Sequence, residues 1–197
     1  VSDENGVIRH YLAVCEDITQ RRQQQEKILH QAHFDSLTQL PNRFLALDRL
    51  SQCIMEAQRN NDSVSVLFLD LDDFKKVNDK FGHLFGDDVL KVIAKKLNEN
   101  LRSIDLTGRW GGEEFILILP DTNAKQAQEI IDRIRKNIAN IPFSPSSTSK
   151  KFNVTVSFGI SESNLADVSL HDILAKADQA LYSAKTKGRN QVVVHLE

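Results

Sequence analysis

The chain has 197 residues and a formal net charge of −2 at pH 7, which is enough length for one domain with a well-formed core and a tail. The balanced charge and the lack of a basic tract argue against a nucleic-acid polymer as a partner. No apolar run is long enough to span a bilayer, and Cys15 and Cys53 have neither metal-site nor disulfide-framework spacing, so we expect a cytoplasmic location and no membrane segment. Because the chain starts at Val1 and its only methionine is Met55, we expect a fragment of a longer protein, which could be attached to a membrane through other regions.

The first segment resembles the end of a sensor domain. Residues 7 to 15 have a strand-like composition, and the sequence Asp-Ile-Thr at residues 17 to 19 leads into a polar run. This is similar to the last strand of a PAS domain, so we predict a PAS remnant over residues 1 to 18 and a signalling linker helix over residues 19 to 33. The helix could pair with a second copy or lie as a solvated linker, and its few apolar residues do not decide between these alternatives.

The remaining residues, 34 to 195, are predicted to form one domain of alternating helices and strands. The predicted helices are 37–59, 74–80, 86–101, 124–139 and 169–187, and the predicted strands are 64–70, 105–110, 115–119, 152–161 and 191–195. Strands 105–110 and 115–119 are close enough to form a hairpin, and helices separate the other strands. We therefore predict an α/β (α+β) fold, with a central mixed β-sheet flanked by helices.

The first strand of this domain leads directly into acidic residues. Residues 64 to 69 are apolar and branched, as in a strand buried on both faces, and Asp70 falls at its carboxyl end. That edge of a sheet, with the helix start that follows, commonly binds phosphate. Asp72 and Asp73 are interpreted as acids of the first helical turn, favoured there by the helix dipole.

The predicted hairpin carries two more acids at its turn. Arg109-Trp110 is followed by two glycines, which permit a tight reversal, and then by Glu113 and Glu114. Carboxylate oxygens in such a position suit Mg²⁺ held against a nucleotide phosphate. Asp70 and Glu113 could converge on one cation, although a solvated Gly-rich turn is the alternative.

Five blocks of residues resemble the GGDEF domain of bacterial diguanylate cyclases, over about residues 34 to 194. The blocks are Asp35-x-Leu37-Thr38-x-Leu40-Pro41-Asn42-Arg43; Asp70-x-Asp72-x-Phe74-Lys75-x-x-Asn78-Asp79 with Phe81-Gly82-His83 and Gly86-Asp87; Arg102-x-x-Asp105; Gly111-Gly112-Glu113-Glu114-Phe115; and Tyr182-x-Ala184-Lys185-x-x-Gly188-Arg189-Asn190. The resemblance implies a ferredoxin-like palm of the nucleotidyl cyclase type. It also implies that two GTP molecules condense to cyclic di-GMP with release of pyrophosphate, at the interface of a homodimer.

The resemblance assigns the acidic residues to metal binding and catalysis. Asp70, the backbone carbonyl of Leu71 and Glu113 would bind Mg²⁺, for which Mn²⁺ is a possible substitute. Glu113, Glu114 and Lys75 would be catalytic, with Lys75 stabilising the transition state. Glu113 is also the family's candidate proton acceptor, but a carboxylate shared with a metal is a poor base, so the general base stays open.

Base recognition is assigned to Asn78 and Asp87. Guanine offers N1–H and an exocyclic amine as donors, for which the carboxylate of Asp87 is a suitable acceptor, and Asn78 can both donate and accept. Adenine lacks that donor pair, so GTP is the expected substrate. Both residue types also cap helices and close turns, which is the structural alternative.

Phosphate binding is assigned to the backbone and to two cations. The resemblance places the N–H groups of Asp73 and Phe74 around the β- and γ-phosphates, and Lys185 and Arg189 on the terminal phosphates. Lys185 would also be favourable near the C-terminus of a helix that ends at Gly188, whatever its role in binding.

Arg102 and Asp105 match the family's inhibitory product site. The planar guanidinium can engage the N7 and O6 edge of guanine, and Asp105 can accept from its N–H groups. We expect feedback inhibition by cyclic di-GMP there, although a solvated Arg-x-x-Asp pair is common in helices.

Two functional classes stay open for the whole domain. An active diguanylate cyclase is favoured because every acid and cation of the matched set is present. The alternative is a non-catalytic receptor of GTP or cyclic di-GMP, and a general Mg²⁺-dependent nucleotidyl transferase is a third, less favoured possibility.

Overall fold

The computed structural model describes residues 16 to 145, 151 to 163 and 169 to 195. The chain divides into two compact units between Ala32 and His33. Helix α1 (Thr19–His33) is polar, and its apolar residues Ile28 and Leu29 remain more than half exposed. Most of the predicted PAS remnant lies outside the described residues, and every helix of the described part is too short or too polar to cross a bilayer.

The larger unit contains a five-stranded sheet and five helices within the described residues. In chain order its elements are α2 (Arg43–Asn60), β1 (Val64–Leu71), α3 (Phe74–Phe81), α4 (His83–Glu99), β2 (Leu106–Gly111), β3 (Glu114–Pro120), α5 (Ala124–Ala139), β4 (Val156–Ser163), α6 (Leu170–Thr186) and β5 (Val192–Val194). The strand order is β2-β3-β1-β4-β5, antiparallel except for the parallel pair β4–β5. The predicted mixed sheet with flanking helices is confirmed.

The central strand β1 is buried along its whole length because helices cover both faces of the sheet. Leu67, Leu69 and Leu71 pack with α4 and α5, whereas Val66 and Phe68 pack with α2 and α6. Successive side chains of a strand point to opposite faces, so this alternation also places Asp70 on the α2/α6 face. Each fully buried side chain of this kind contributes about 1.5–3 kcal/mol to stability.

Several element boundaries differ from the sequence prediction, and two of the differences have identifiable reasons. Helix α2 begins at Arg43 instead of residue 37, because Asn42 caps it by accepting the N–H of Leu45 at 3.1 Å. Strand β4 begins at Val156 instead of residue 152, because Phe152 pairs with Phe143 in an isolated bridge.

Candidate active site

The centre of the candidate site is Asp70, near the end of β1. Its side chain is buried, and its Oδ2 lies 2.7 Å from the Nζ of Lys185 in the last turn of α6. Burial raises the pKa of Asp70 to about 6; the charges of Glu113 and Glu114 act in the same direction, and Lys185 opposes them. The fold therefore concentrates three carboxylates at a place where an added positive charge is favoured.

The β2–β3 hairpin brings the two glutamates to Asp70. The strand register pairs Asp70 with Glu114, and the N–H of Leu71 donates to the carbonyl oxygen of Glu113 at 3.4 Å. Gly112 in the turn has φ +53°, a conformation that a residue with a side chain rarely adopts. The predicted hairpin tip carrying acids is thus confirmed.

The donor set suits a hard cation that also contacts substrate. Among the residues that the structure describes, no three His, Cys, Asp or Glu side chains form a metal cage by themselves. The predicted ligands are instead Asp70, Glu113 and the carbonyl of Leu71, and Mg²⁺ characteristically takes one or two carboxylates together with phosphate oxygens. The raised pKa of Asp70 beside two further acids fits such an ion.

A partly buried ion pair, for which the sequence predicted no role, holds the hairpin turn. One guanidinium nitrogen of Arg109, Nη1, lies 3.0 Å from both carboxylate oxygens of Asp35, while Nε and Nη2 donate to the carbonyl of Gly112 at 3.0 and 2.8 Å. Burial alone would raise the pKa of Asp35, but hydrogen bonds from Thr38 and the charge of Arg109 hold it below its ordinary value. The motif that begins at Asp35 was the available signal for this tether.

The predicted base-recognition residues lie on two consecutive helices that meet. Asn78 of α3 has a buried Oδ1 that finds no hydrogen-bond partner among the described residues. This oxygen packs so closely on Gly86 of α4 that a Cβ at Gly86 would lie 1.9 Å from it. Asp87 is the next residue along α4 and is half-buried. A buried acceptor without a donor is costly, so this place suits a ligand that brings N–H groups.

The predicted phosphate-binding cations lie beside two acids, Lys185 beside Asp70 and Arg189 beside Asp73. Lys185 is about one-third exposed, and Arg189 is half exposed with its Nε 3.9 Å from the Oδ1 of Asp73. Asp73 precedes α3 with φ +55° and makes no side-chain cap. Lys75 is exposed in the first turn of the same helix, where the first backbone N–H groups have no partner within the helix. Arg189 and Asp73 also line a cleft of about 500 Å³.

Asp72 does not act as a first-turn acid, so that interpretation is wrong. Its carboxylate is buried and accepts hydrogen bonds from the hydroxyls of Thr155 and Ser157, both at 2.7 Å. It also accepts the backbone N–H of Asn190 at 2.9 Å. Asp72 therefore connects the end of β1 to the segment that follows α6.

The predicted product-site residues form a closed network away from the hairpin turn, in the loop that precedes β2. Nη2 of Arg102 lies 2.8 Å from the Oδ1 of Asp105 and 2.7 Å from the hydroxyl of Thr122. The carboxylate of Asp105 is almost fully buried, whereas Arg102 is about half exposed. The hydrogen bond with Asp105 raises the pKa of Arg102.

Comparisons with known proteins agree with this arrangement. The family model described as "Diguanylate cyclase, GGDEF domain" matches residues 32–191. Response regulator PleD of Caulobacter vibrioides is 42% identical over 159 residues, which are 81% of this chain and 35% of PleD. The chain thus spans about a third of the length of that relative.

Solved structures show the same fold. The coiled coil and GGDEF domain of DgcB from Caulobacter crescentus, solved in complex with c-di-GMP, matches with a TM-score of 0.84 at 30% identity, covering 90% of this chain and 93% of that one. The active GGEEF domain of a diguanylate cyclase from Vibrio cholerae matches with a TM-score of 0.76 at 33% identity, covering 81% of this chain and 99% of that one. The family match extends over most of the described residues, and we conclude that this chain belongs to the diguanylate cyclase GGDEF-domain family.

Proposed function

We propose that this domain condenses two molecules of GTP into cyclic di-GMP and that Asp70 and Glu113 hold a divalent cation for the reaction. The observation that carries the proposal is the buried carboxylate of Asp70, which the strand register places opposite Glu114 and which has the ammonium of Lys185 2.7 Å away. The raised pKa of Asp70 agrees with this role. Family membership and the similarity to proteins named diguanylate cyclases support the same activity.

The metal would be Mg²⁺, with Mn²⁺ as a substitute, and its ligands would be Asp70, Glu113 and the carbonyl of Leu71. When bound, the ion supplies positive charge that offsets the negative charge building on the phosphate oxygens. Lys185 already places an ammonium 2.7 Å from Asp70, which supports the need for positive charge there. With the cation present, the same ammonium can turn to the terminal phosphates.

The chain's own residues would bind and orient the nucleotide. Asn78 and Asp87 accept the N–H donors of guanine, which satisfies the buried Oδ1 of Asn78. The backbone N–H groups of Asp73 and Phe74 face the β- and γ-phosphates, and Arg189 contacts the terminal phosphates. Lys75 would stabilise the transition state.

Catalysis would need two copies of the domain, because each holds one GTP. The 3′-hydroxyl of one nucleotide attacks the α-phosphate of the other, a P–O bond forms, and pyrophosphate leaves with its electron pair. The hydroxyl proton goes to a base that Glu113 or Glu114 provides. The resulting product has two-fold symmetry, as expected for a symmetric pair of half-sites.

Cyclic di-GMP would also inhibit the enzyme through Arg102 and Asp105. Asp105 holds the guanidinium of Arg102 from the protein side, and the exposed half of that group can contact the Hoogsteen edge of guanine. Titration of cyclic di-GMP into an Arg102→Ala variant should show lost binding with turnover retained. Unchanged affinity would remove this part of the proposal.

The direct test of the activity is incubation with GTP and Mg²⁺ at several protein concentrations, with the product identified by mass. We expect cyclic di-GMP, formed with more than first-order dependence on protein concentration because two copies must meet. The product should disappear in Glu113→Gln. Tight GTP binding with no product at any concentration would favour the alternative, a non-catalytic receptor of GTP or cyclic di-GMP.

A further inference from the structure

The short turn Gly188–Asn190, here called the arginine turn, holds Arg189 in an unusual backbone conformation. Its three residues have φ values of +115°, +61° and +47° in succession. For arginine and asparagine this region is sparsely populated, and such residues persist only where their surroundings hold them. The N–H of Arg189 donates to the carbonyl of Ala184 at 3.1 Å, and two side chains from other elements restrain the neighbouring Asn190.

The first restraint is Asp72, from the end of the central strand. Its Oδ2 accepts the backbone N–H of Asn190 at 2.9 Å and the hydroxyl of Thr155 at 2.7 Å. Its Oδ1 accepts the hydroxyl of Ser157 at 2.7 Å. Thr155 precedes β4 and Ser157 lies in it, so these two hydroxyls orient the carboxylate of Asp72 independently of the arginine turn.

The second restraint is Arg135, from helix α5. Its Nη1 donates to the carbonyl of Asn190 at 2.9 Å and to the side-chain Oδ1 of the same residue at 2.7 Å. Its Nε and Nη2 donate to the Oδ1 of Asp132, which orients the guanidinium. Asn190 is thus held at its N–H by one element and at its oxygens by another.

The consequence is a fixed position for the neighbouring Arg189. Its Nε lies 3.9 Å from the Oδ1 of Asp73, at the start of α3, and the side chain is half exposed on the cleft. Asp72 is only 8% exposed, and both of its carboxylate oxygens accept hydrogen bonds from protein groups. Its carboxylate reaches Arg189 through the backbone N–H of Asn190, the next residue along the chain.

We propose that Asp72 is a positioning residue, assisted by Arg135, which holds the arginine turn so that Arg189 reaches the terminal phosphates of the nucleotide. The inference rests on the proposed function for the identity of the ligand. Asp72 thus serves phosphate recognition, whereas Asp70 serves the cation.

The test compares a triphosphate with a monophosphate, because only the triphosphate reaches Arg189. Dissociation constants for 3′-deoxy-GTP, which lacks the attacking hydroxyl, and for 3′-deoxy-GMP are measured with Mg²⁺ by competition against a fluorescent GTP analogue. The ratio of the two constants does not depend on the folded fraction of a variant. We expect Asp72→Ala to reduce the triphosphate preference about tenfold and Arg135→Ala about threefold, in line with lost hydrogen bonds to charged groups.

Three variants make the comparison specific. Asp72→Asn keeps an oxygen facing the N–H of Asn190, so it should restore most of the preference lost in Asp72→Ala. Lys136→Ala removes a cation that also pairs with Asp132, 2.6 Å away, and should leave the ratio unchanged. Adding Asp72→Ala to Arg189→Ala should change the ratio no further, because both act through the same guanidinium.

A wild-type protein without triphosphate preference would contradict the proposed phosphate site itself. A clear wild-type preference that Asp72→Ala leaves intact would overturn only the positioning role. If Asp72→Ala does not yield folded protein, Arg135→Ala decides, and an unchanged ratio in that variant overturns the inference.

Discussion

Two aspartates at the end of the same strand have opposite environments, although only one residue separates them. Within the described part of the chain, the buried carboxylate of Asp70 pairs with one ammonium, that of Lys185, and the pKa of Asp70 is raised. Asp72 is about as buried, but its carboxylate accepts hydrogen bonds from two hydroxyls and one backbone N–H. The carboxylate with too few donors is the one suited to bind a cation, and the carboxylate with a complete donor set is the one that fixes structure.

The strongest way to break this comparison is to neutralise Asp70. Asp70→Asn keeps the shape of the side chain but removes a metal ligand, so we expect cyclic di-GMP formation to fall at least about 100-fold with little loss of folding. Initial rates at saturating GTP and Mg²⁺, with circular dichroism as the folding check, measure this. Near-normal turnover in a folded Asp70→Asn protein would contradict the cation role.

The next largest effect is expected on GTP binding, at the place where Asn78 packs on Gly86. A Cβ at Gly86 would lie 1.9 Å from the Oδ1 of Asn78, so Gly86→Ala should displace that side chain and weaken GTP binding by about tenfold or more. Calorimetric titration of 3′-deoxy-GTP measures the change. The matched pair is Asn78→Ala with and without Gly86→Ala: if Asn78 mediates the clash, the second substitution should add little. An additive loss would place the effect elsewhere.

Much of the fold could be predicted from local sequence patterns, because a strand such as 115–119 consists of apolar residues that are expected to be buried. The site was predicted where residues of one motif lie on adjacent elements, as Asn78 and Gly86-Asp87 do. Asp72 was misinterpreted because its partners Thr155 and Asn190 are 83 and 118 residues away in sequence. Hydrogen bonds over such separations depend on the register of the finished sheet, which no local pattern contains.

The tether of the hairpin turn illustrates the same limit and gives a third prediction. Arg109 meets Asp35 across 74 residues. Arg109→Lys keeps the charge but loses the planar fork that reaches both Asp35 and the carbonyl of Gly112, so we expect turnover to fall about tenfold with GTP affinity nearly unchanged. Steady-state kinetics separate the two quantities. Arg59→Lys, on the exposed last turn of α2, is the matched control, and equal effects of the two substitutions would exclude a specific role for the tether.

The smallest expected effect is on the pH dependence of the unfolding free energy, which differs between a carboxylate with a raised pKa and one with a complete set of donors. The pKa of Asp70 is raised in the folded state, so its contribution to stability is fully present below its unfolded pKa and is lost as pH rises through about 6. From pH 4 to pH 7 the wild type should lose about 2 kcal/mol of unfolding free energy relative to Asp70→Asn in metal-free buffer. Urea unfolding with a chelator measures this difference. A wild type that gains stability relative to the variant over this range would contradict the raised pKa.

The central claim, that Asp70 and Glu113 share a divalent ion with the nucleotide, is tested most directly by electron paramagnetic resonance of Mn²⁺. The spectrum of free Mn²⁺ is titrated with wild-type protein in the presence and absence of 3′-deoxy-GTP, and the titration is repeated with Asp70→Asn and Glu113→Gln. We predict nucleotide-dependent Mn²⁺ binding to the wild type that either substitution weakens at least about tenfold. Equal Mn²⁺ affinity in all three folded proteins would contradict the account.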